Sequence, residues 1–268
     1  MTDHSERAEW FTGPWVESVT RYRWFLERAA LPPVLMDLGC GNASGLIGAL
    51  ASLHRCHDWW PEVVVLVDTD ADSLAEACES MGDVTRRLGR AAPTTRACVA
   101  DLSGSSVEVA ALVADYRPAV TAFEVLEHLA DSTAALSVLR SAGEHAPAAL
   151  SVPHDAFFHP ANPYHLITPS EATVAEYRGF LGQSWTAEQQ YRVSGTAIGR
   201  VGPGTGAATF EIDPGAVPVA SHFLLSTGLA PAAETAVVGL ADSDDAARHV
   251  WAVQREIDLY HYQGGGRA

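Results

Sequence analysis

The chain contains 268 residues with a mass of 28.5 kDa, and 47% of its residues are hydrophobic while 19% are charged. This length and composition suit one large globular domain and exclude a mainly disordered chain. The 33 acidic residues outnumber the 17 basic ones, and the formal net charge of -16 disfavours a nucleic-acid partner because it repels phosphates. Lysine is absent, which excludes Schiff-base catalysis by a lysine.

The N-terminal segment, residues 1–10, is polar and acidic and lacks the apolar stretch of a secretory signal. No apolar run approaches the roughly 20 residues that a membrane-spanning helix needs. We therefore expect a soluble, cytoplasmic protein without a membrane partner. No feature of the sequence specifies an oligomeric state.

Short apolar runs alternate along the chain with longer amphipathic stretches, after a first amphipathic helix predicted over residues 15–29. The apolar runs predict strands at residues 34–38, 63–67, 96–100, 120–123 and 148–152. The stretches between them predict helices at residues 45–53, 72–81, 105–115 and 132–142. Repeated strand–helix–strand units predict an α/β fold, with a mostly parallel sheet and helices on both faces.

The same patterns divide the chain into four parts. Residues 1–30 form an N-terminal helical cap, and residues 31–183 form the alternating core. Residues 184–262 continue the same domain, and residues 263–268 form a glycine-rich tail that we expect to be disordered. In the C-terminal part of the chain, the patterns predict strands at 191–198, 208–212 and 221–226 and a helix at 244–260. For the N-terminal helix we favour packing against the sheet edge over a role as a substrate lid.

Two glycines, Gly39 and Gly41, stand where the first buried strand must turn into a helix. The second strand ends in Asp68, a position from which a carboxylate can hold both hydroxyls of an adenosine ribose. Asp37 precedes the turn, and an acid there suits a ligand that carries a positive amine more than one that carries a pyrophosphate. The pattern therefore predicts a ligand that is cationic at one end and adenosine-like at the other.

The segment Asp37-Leu-Gly39-Cys-Gly41 resembles the first motif of class I S-adenosylmethionine-dependent methyltransferases. Further similarity lies in Val99-Ala-Asp101-Leu102 and in Phe123-Glu-Val-Leu-Glu-His-Leu129, with a departure at Ala43, where the family usually has glycine. The resemblance implies a Rossmann-like, seven-stranded, mostly parallel sheet with a C-terminal antiparallel strand, and S-adenosylmethionine as cofactor. The residues it implies for cofactor binding are Asp37, Gly39, Gly41, Asp68, Thr69, Asp101, Leu102 and Glu124.

A polar cluster follows the fourth strand and includes Glu124, Glu127 and His128. If this segment is helical, positions i, i+3 and i+4 share one face, so the three side chains can converge. With His165 they form a set similar to that of metal-dependent small-RNA 3′-terminal 2′-O-methyltransferases and ubiquinone-pathway O-methyltransferases, where such residues bind a divalent ion. Carboxylate and imidazole ligands suit Mg²⁺, Mn²⁺ or Zn²⁺.

A hydroxyl that accepts a methyl group must lose its proton, either to a base or with the help of a metal ion. We interpret His128 and His165 as the residues for that step or for metal ligation. The sequence then predicts methyl transfer to a hydroxyl of a small-molecule acceptor, of the kind found in secondary metabolism. The alternatives are a metal-dependent RNA 3′-terminal 2′-O-methyltransferase and a non-catalytic protein that binds S-adenosylmethionine to serve a partner.

Overall fold

The computed structural model describes residues 16–104, 106–154, 157, 164–190 and 221–230. The strands in this part of the chain are β1 (Val34–Leu38), β2 (Val63–Asp68), β3 (Thr94–Val99), β4 (Ala119–Phe123), β5 (Ala148–Pro153), β6 (Thr186–Gln190) and β7 (His222–Thr227). The helices are α1 (Val16–Arg28), α2 (Ser44–His57), α3 (Ala71–Arg87), α4 (Val107–Tyr116), α5 (Thr133–Gly143) and α6 (Glu171–Leu181), and a 3-10 turn spans Leu126–His128.

All seven described strands form one sheet in the order β3-β2-β1-β4-β5-β7-β6. Strands β1 to β5 run parallel, whereas β7 is antiparallel to both β5 and β6. The predicted fold class is therefore confirmed. The strand order reverses between β1 and β4, and in such open sheets ligands bind in the crevice beyond the carboxyl ends of the strands at this point.

Helices cover both faces of the sheet, and each face has its own hydrophobic core. One core packs α1, α2 and α3 on the sheet through residues such as Phe25, Leu50 and Leu74. The other packs α4, α5 and α6 through residues such as Val109 and Leu139. Because β1, β2, β4 and β5 are buried on both sides, they read as continuous apolar runs, which is why the sequence located them.

Helix α1 packs tightly on α2. A β-carbon at Gly45 of α2 would lie 2.1 Å from Ser18 Oγ, so only glycine lets the two helices approach this closely. Phe25 of α1 has no exposed surface. This agrees with the interpretation of the N-terminal helix as part of the core.

The structure also contains two elements that the sequence patterns did not predict. Helix α6 begins after Ser170, which forms a capping box with Thr173. Strand β6 lies just before the strand predicted at 191–198, which is outside the described residues, as are the predicted strand at 208–212, the helix at 244–260 and the tail. Among the described residues, no helix is long and apolar enough to cross a membrane.

Candidate active site

The glycine turn joins β1 to α2 and is held against the end of β2. Gly39, Gly41 and Ala43 all have positive φ angles, of 65°, 52° and 54°. The backbone N–H groups of Gly39 and Cys40 donate to the Val67 carbonyl at 2.7 and 3.0 Å. A β-carbon at Gly39 would lie 2.5 Å from a methyl group of Val125, so the turn also touches the segment that follows β4.

Asp68 is the last residue of β2, and its carboxylate holds the glycine turn in place. Its Oδ2 accepts a hydrogen bond of 2.7 Å from the Gly41 N–H, and its Oδ1 accepts one of 3.0 Å from the Asp70 N–H. A carboxylate oxygen can accept more than one hydrogen bond, so both oxygens keep capacity for a ligand hydroxyl. Gly41 thus supports Asp68 through its backbone.

A cavity of about 290 Å³ opens at the carboxyl ends of β1 to β4. Its lining residues are Gly39, Asp68, Thr69, Ala100, Asp101, Leu102, Ser103, Glu124, Val125, His128 and Leu129. Seven of the sequence-predicted site residues are in this set: Gly39, Asp68, Thr69, Asp101, Leu102, Glu124 and His128. Three carboxylates and no arginine line the described cavity, so it suits a ligand with positive charge and hydroxyl groups.

Asp37 lies beneath the turn and does not line this cavity. It is 1% exposed, and its two oxygens accept hydrogen bonds of 2.7 Å from the Tyr22 hydroxyl and the Thr121 hydroxyl. Burial raises the pKa of Asp37 to about 7, while those two hydrogen bonds oppose the shift and Asp68 adds to it. The side chain therefore supports the turn from below, and its predicted contact with a ligand amine stays a prediction.

Asp101 and Leu102 follow β3 and form another part of the wall. The Ser103 hydroxyl and backbone N–H both donate to Asp101 Oδ1, at 2.6 and 2.8 Å. These hydrogen bonds lower the pKa of Asp101, so its carboxylate is ionised at neutral pH. Leu102 is 3% exposed and gives this part of the cavity an apolar surface.

Glu124 follows β4 in the left-handed backbone region, with a φ of 59°. Its Oε1 lies 2.8 Å from Arg21 Nη2 on α1 and 2.8 Å from His222 Nε2 on β7. Burial opposes ionisation of Glu124, but Arg21 and His222 outweigh it and hold the pKa of this carboxyl well below its usual range. Burial lowers the pKa of His222, and the nearby Glu124 carboxylate opposes that shift.

Glu127, His128 and His165 form a group that could hold a metal ion, because one ligand atom of each lies within 4.8 Å of the others. Glu127 is fully buried, and the rings of His128 and His165 are 5.0 Å apart. Hydrogen bonds join the two segments: the N–H groups of Leu166 and Ile167 donate to the Glu127 carbonyl at 2.8 and 3.4 Å. In addition, His128 Nδ1 lies 3.1 Å from the Tyr164 carbonyl oxygen.

The structure brings together three residues of the predicted four-residue metal set, and a ligand role for Glu124 stays a prediction. Glu124 does not share a helical face with Glu127 and His128, because its positive φ precedes the short 3-10 turn that begins at Leu126. Its Oε1 is already held by Arg21 and His222. The group that the structure brings together thus contains Glu127, His128 and His165 without Glu124.

Arg21 and His222 are site residues that sequence reasoning missed. Arg21 occupies a position on the same helical face as Tyr22 and Phe25, and a charge on the buried face of a helix was the available signal. His222 carries no such signal, because its strand was predicted only as a late strand. Its contact with Glu124 depends on the antiparallel register between β7 and β5.

Comparison with solved structures identifies the architecture. The structure of the small RNA methyltransferase HEN1 superposes with a TM-score of 0.51 at 18% identity, over 80% of this chain and 26% of the HEN1 chain. The chain has the class I methyltransferase fold. It spans about a quarter of the length of the HEN1 chain, so the comparison extends to the fold alone.

Other class I methyltransferase structures match with lower scores. An S-adenosylmethionine-dependent methyltransferase from Aquifex aeolicus has a TM-score of 0.45 at 12% identity, covering 84% of this chain and 98% of its own. The rRNA methyltransferase aviRa from Streptomyces viridochromogenes has a TM-score of 0.43 at 14% identity, covering 79% of this chain and 84% of its own. No protein-family model matches the sequence, and no curated protein matches it significantly.

Proposed function

We propose that this protein is an S-adenosylmethionine-dependent methyltransferase that methylates a hydroxyl group of a small molecule. The observation that carries the proposal is one cavity, at the reversal point of the sheet, lined by three carboxylates and by His128. The fold alone would not suffice, because one fold can serve many activities.

The residues at the cavity fit the cofactor. Asp68 would hold the ribose hydroxyls, Asp101 and Leu102 would hold the adenine, and Glu124 would face the cationic end of the ligand. When bound there, S-adenosylmethionine supplies an electrophilic methyl group on a sulfonium centre. The protein then contributes alignment of the acceptor and exclusion of water.

His128 has the hydrogen-bonding state that proton removal requires. Because the Tyr164 carbonyl can only accept, Nδ1 of His128 carries the proton in that contact. Nε2 is then the ring atom that would accept the proton of an acceptor hydroxyl. His165, 5.0 Å from His128 between ring centroids, would assist as a second base or as a metal ligand.

In one version of the proposed reaction, the site also binds a divalent ion. A carboxylate and two imidazoles are a donor set that Mn²⁺ or Zn²⁺ accepts, and Glu127, His128 and His165 offer that set. An ion there would lower the pKa of an acceptor hydroxyl and so favour acceptors with adjacent hydroxyls. This arrangement also keeps an RNA 2′-hydroxyl as the alternative acceptor, against which stand the -16 charge and a described cavity wall without arginine.

The test is a calorimetric titration of Mn²⁺ into the protein saturated with S-adenosylhomocysteine, in the wild type and in His165→Ala. His145→Ala is the matched control, because His145 is exposed and follows α5, outside the cavity. Saturable binding that is lost only in His165→Ala supports metal-assisted transfer and directs an acceptor screen to vicinal hydroxyls. Absence of Mn²⁺ binding supports His128 as a plain base and directs the screen to phenols and sugar hydroxyls.

Transfer itself is measured with S-adenosylmethionine labelled in its methyl group. Labelled product from any hydroxyl acceptor that disappears in His128→Ala supports the proposal. Saturable cofactor binding without transfer to any acceptor class would instead favour the non-catalytic alternative. Failure of the wild type to bind either S-adenosylmethionine or S-adenosylhomocysteine would overturn the proposed function.

A further inference from the structure

Two consecutive side chains of α1 reach two different carboxylates of the site. Arg21 contacts Glu124 on the cavity wall at 2.8 Å, and the Tyr22 hydroxyl donates to Asp37 beneath the glycine turn at 2.7 Å. Both side chains are buried, at 4% and 6% exposure. The N-terminal helix therefore touches the site at two places, in addition to its packing in the core.

Arg21 is fixed by partners on both sides of its guanidinium group. Nη2 contacts Glu124, while Nη1 donates to the Gln190 side-chain oxygen at 2.9 Å. Gln190 in turn donates to the Glu17 carbonyl of α1 at 3.2 Å. A planar fork with several donors can satisfy two acceptors in fixed directions, which a lysine ammonium does less well.

Glu124 is the residue that this arrangement holds. Its backbone lies in the left-handed region, which is unfavourable for any residue except glycine and needs support from its surroundings. Arg21 and His222 both contact Oε1, while about a third of the side chain remains exposed at the cavity. Two elements far apart in the chain thus fix one carboxylate without closing it off.

We infer that Arg21 is a positioning residue of the active site, which holds the Glu124 carboxylate toward the cationic end of the bound cofactor. This inference rests on the proposed function. It makes α1 a working part of the site, because the helix sets where the negative charge of Glu124 lies. A purely structural Arg21 would affect folding stability but not the cofactor affinity of the folded protein.

The experiment compares Arg21→Met, Arg21→Lys and Arg23→Met by calorimetric titration with S-adenosylmethionine, with thermal unfolding measured on the same samples. Arg23 is the matched control, because it lies on the same helix and pairs locally, with Glu27 at 2.8 Å. We expect Arg21→Met to weaken binding about tenfold, in the usual range for coupling between neighbouring sites. Arg21→Lys should recover only part of that loss, because it restores the charge but not the planar fork, and Arg23→Met should bind like the wild type.

A folded Arg21→Met protein with wild-type affinity would overturn the inference while leaving the proposed function intact. If Arg21→Met does not fold, two other variants are compared in its place: Glu124→Gln and the double variant Arg21→Met/Glu124→Gln. The double variant leaves neither the guanidinium group nor the carboxylate as an unpaired buried charge. Equal affinity losses in these two variants would support the inference, since Arg21 would act only through Glu124. A further loss in the double variant would overturn it. Absence of binding in the wild type would overturn the proposed function and this inference together.

Discussion

The two halves of the cavity are built in different ways. The cofactor half contains the glycine turn, Asp68 and Asp101, each placed by a strand end and held by nearby backbone N–H groups. The acceptor half, named for the proposed role of its two histidines, contains Glu124 and His128 on the cavity wall and Glu127 and His165 beside His128. Contacts with α1, β7 and the segment at 164–166 place these side chains, and Glu124 is counted here for those contacts although its proposed partner is the cofactor. The first half follows from sheet topology, whereas the second depends on side chains from distant parts of the chain.

This difference indicates where specificity can vary. The carboxyl ends of neighbouring parallel strands must meet at one edge, so a motif at each end is enough to form the cofactor half. The acceptor half can change through its side-chain contacts without altering the fold. Gly39 joins the two halves, because it packs directly on Val125 beside Glu124.

The largest effect is expected from Gly39→Ala, which breaks the junction between the halves. The added β-carbon would lie 2.5 and 2.7 Å from the two methyl groups of Val125, and the φ of 65° is unfavourable for alanine. Left-handed strain and overpacking together should lower the free energy of unfolding by about 4 kcal/mol. Chemical denaturation measures this loss, and titration with S-adenosylhomocysteine should show lost binding in any folded fraction.

Gly41→Ala is the matched control in the same turn. Gly41 has a φ of 52°, but nothing lies within 4 Å of its would-be β-carbon. Ala43, two residues further along the same turn, has a φ of 54° and is an alanine. An alanine in this backbone region is therefore compatible with the turn. We expect a cost of about 1 kcal/mol. Equal losses in the two variants would show that backbone strain alone, without the contact to Val125, decides the result.

The pH dependence of stability separates the buried Asp37 from the exposed acids of the cofactor half. The pKa of Asp37 is raised from 3.8 to about 7 by burial, so the folded state holds this proton more tightly than the unfolded state. As the pH rises from about 4 to about 7, the free energy of unfolding should therefore fall by on the order of 3 kcal/mol because of this group. Urea denaturation at pH 5 and pH 8 measures the change.

Asp37→Asn provides the comparison for that measurement, because an amide does not titrate in this range. In the variant, the free energy of unfolding should fall less between pH 5 and pH 8 than in the wild type. Relative to the wild type, the variant should therefore be more stable at pH 8 than at pH 5. If the free energy of unfolding falls by the same amount in the variant and the wild type, groups other than Asp37 cause the fall. Asp101 cannot do so, since its pKa is lowered and its contribution has the opposite sign.

Asp68→Ala tests the cofactor half without the acceptor half. The change removes a charged acceptor of two backbone hydrogen bonds and of the proposed ribose contact. Cofactor affinity should fall by about 1.5–3 kcal/mol. Asp70→Ala is the control: it removes the N-cap of α3 and should cost about 1 kcal/mol of stability. Its cofactor affinity should match the wild type, and an equal affinity loss in both variants would contradict the assignment of Asp68.

The sequence predicted the cofactor half well because its signals are local. Four of the first five strands were located to within one residue at each end, since they are buried apolar runs. Strand β3 was predicted two residues late, at 96–100 instead of Thr94–Val99, because an exposed edge strand lacks a continuous apolar pattern. Asp68 and Asp101 were then placed correctly at the strand ends on the cavity wall.

The acceptor half was predicted less well because its contacts are not local. The sequence placed Glu124 with the metal ligands, whereas in the structure its carboxylate contacts Arg21 and His222 and is not in the group that could hold a metal ion. Strand β6 has the polar sequence Thr-Ala-Glu-Gln-Gln and shows no alternation that would predict a strand. Its position depends on pairing with β7, which no local pattern specifies.

Apart from the two control variants, Tyr22→Phe should give the smallest effect. It isolates the contact of α1 with Asp37 from its contact with Glu124. The change removes only the hydroxyl that donates to Asp37, while the aromatic ring can keep its edge contact with Phe123 at 4.9 Å. Loss of one hydrogen bond to a carboxylate should cost about 1.5 kcal/mol at pH 8. The cost should be smaller at pH 5, because Asp37 is then protonated and the lost bond is one between neutral groups. Denaturation at both pH values measures the difference, and an equal cost at pH 5 and pH 8 would mean that the contribution of the Tyr22 hydroxyl does not depend on the charge of Asp37.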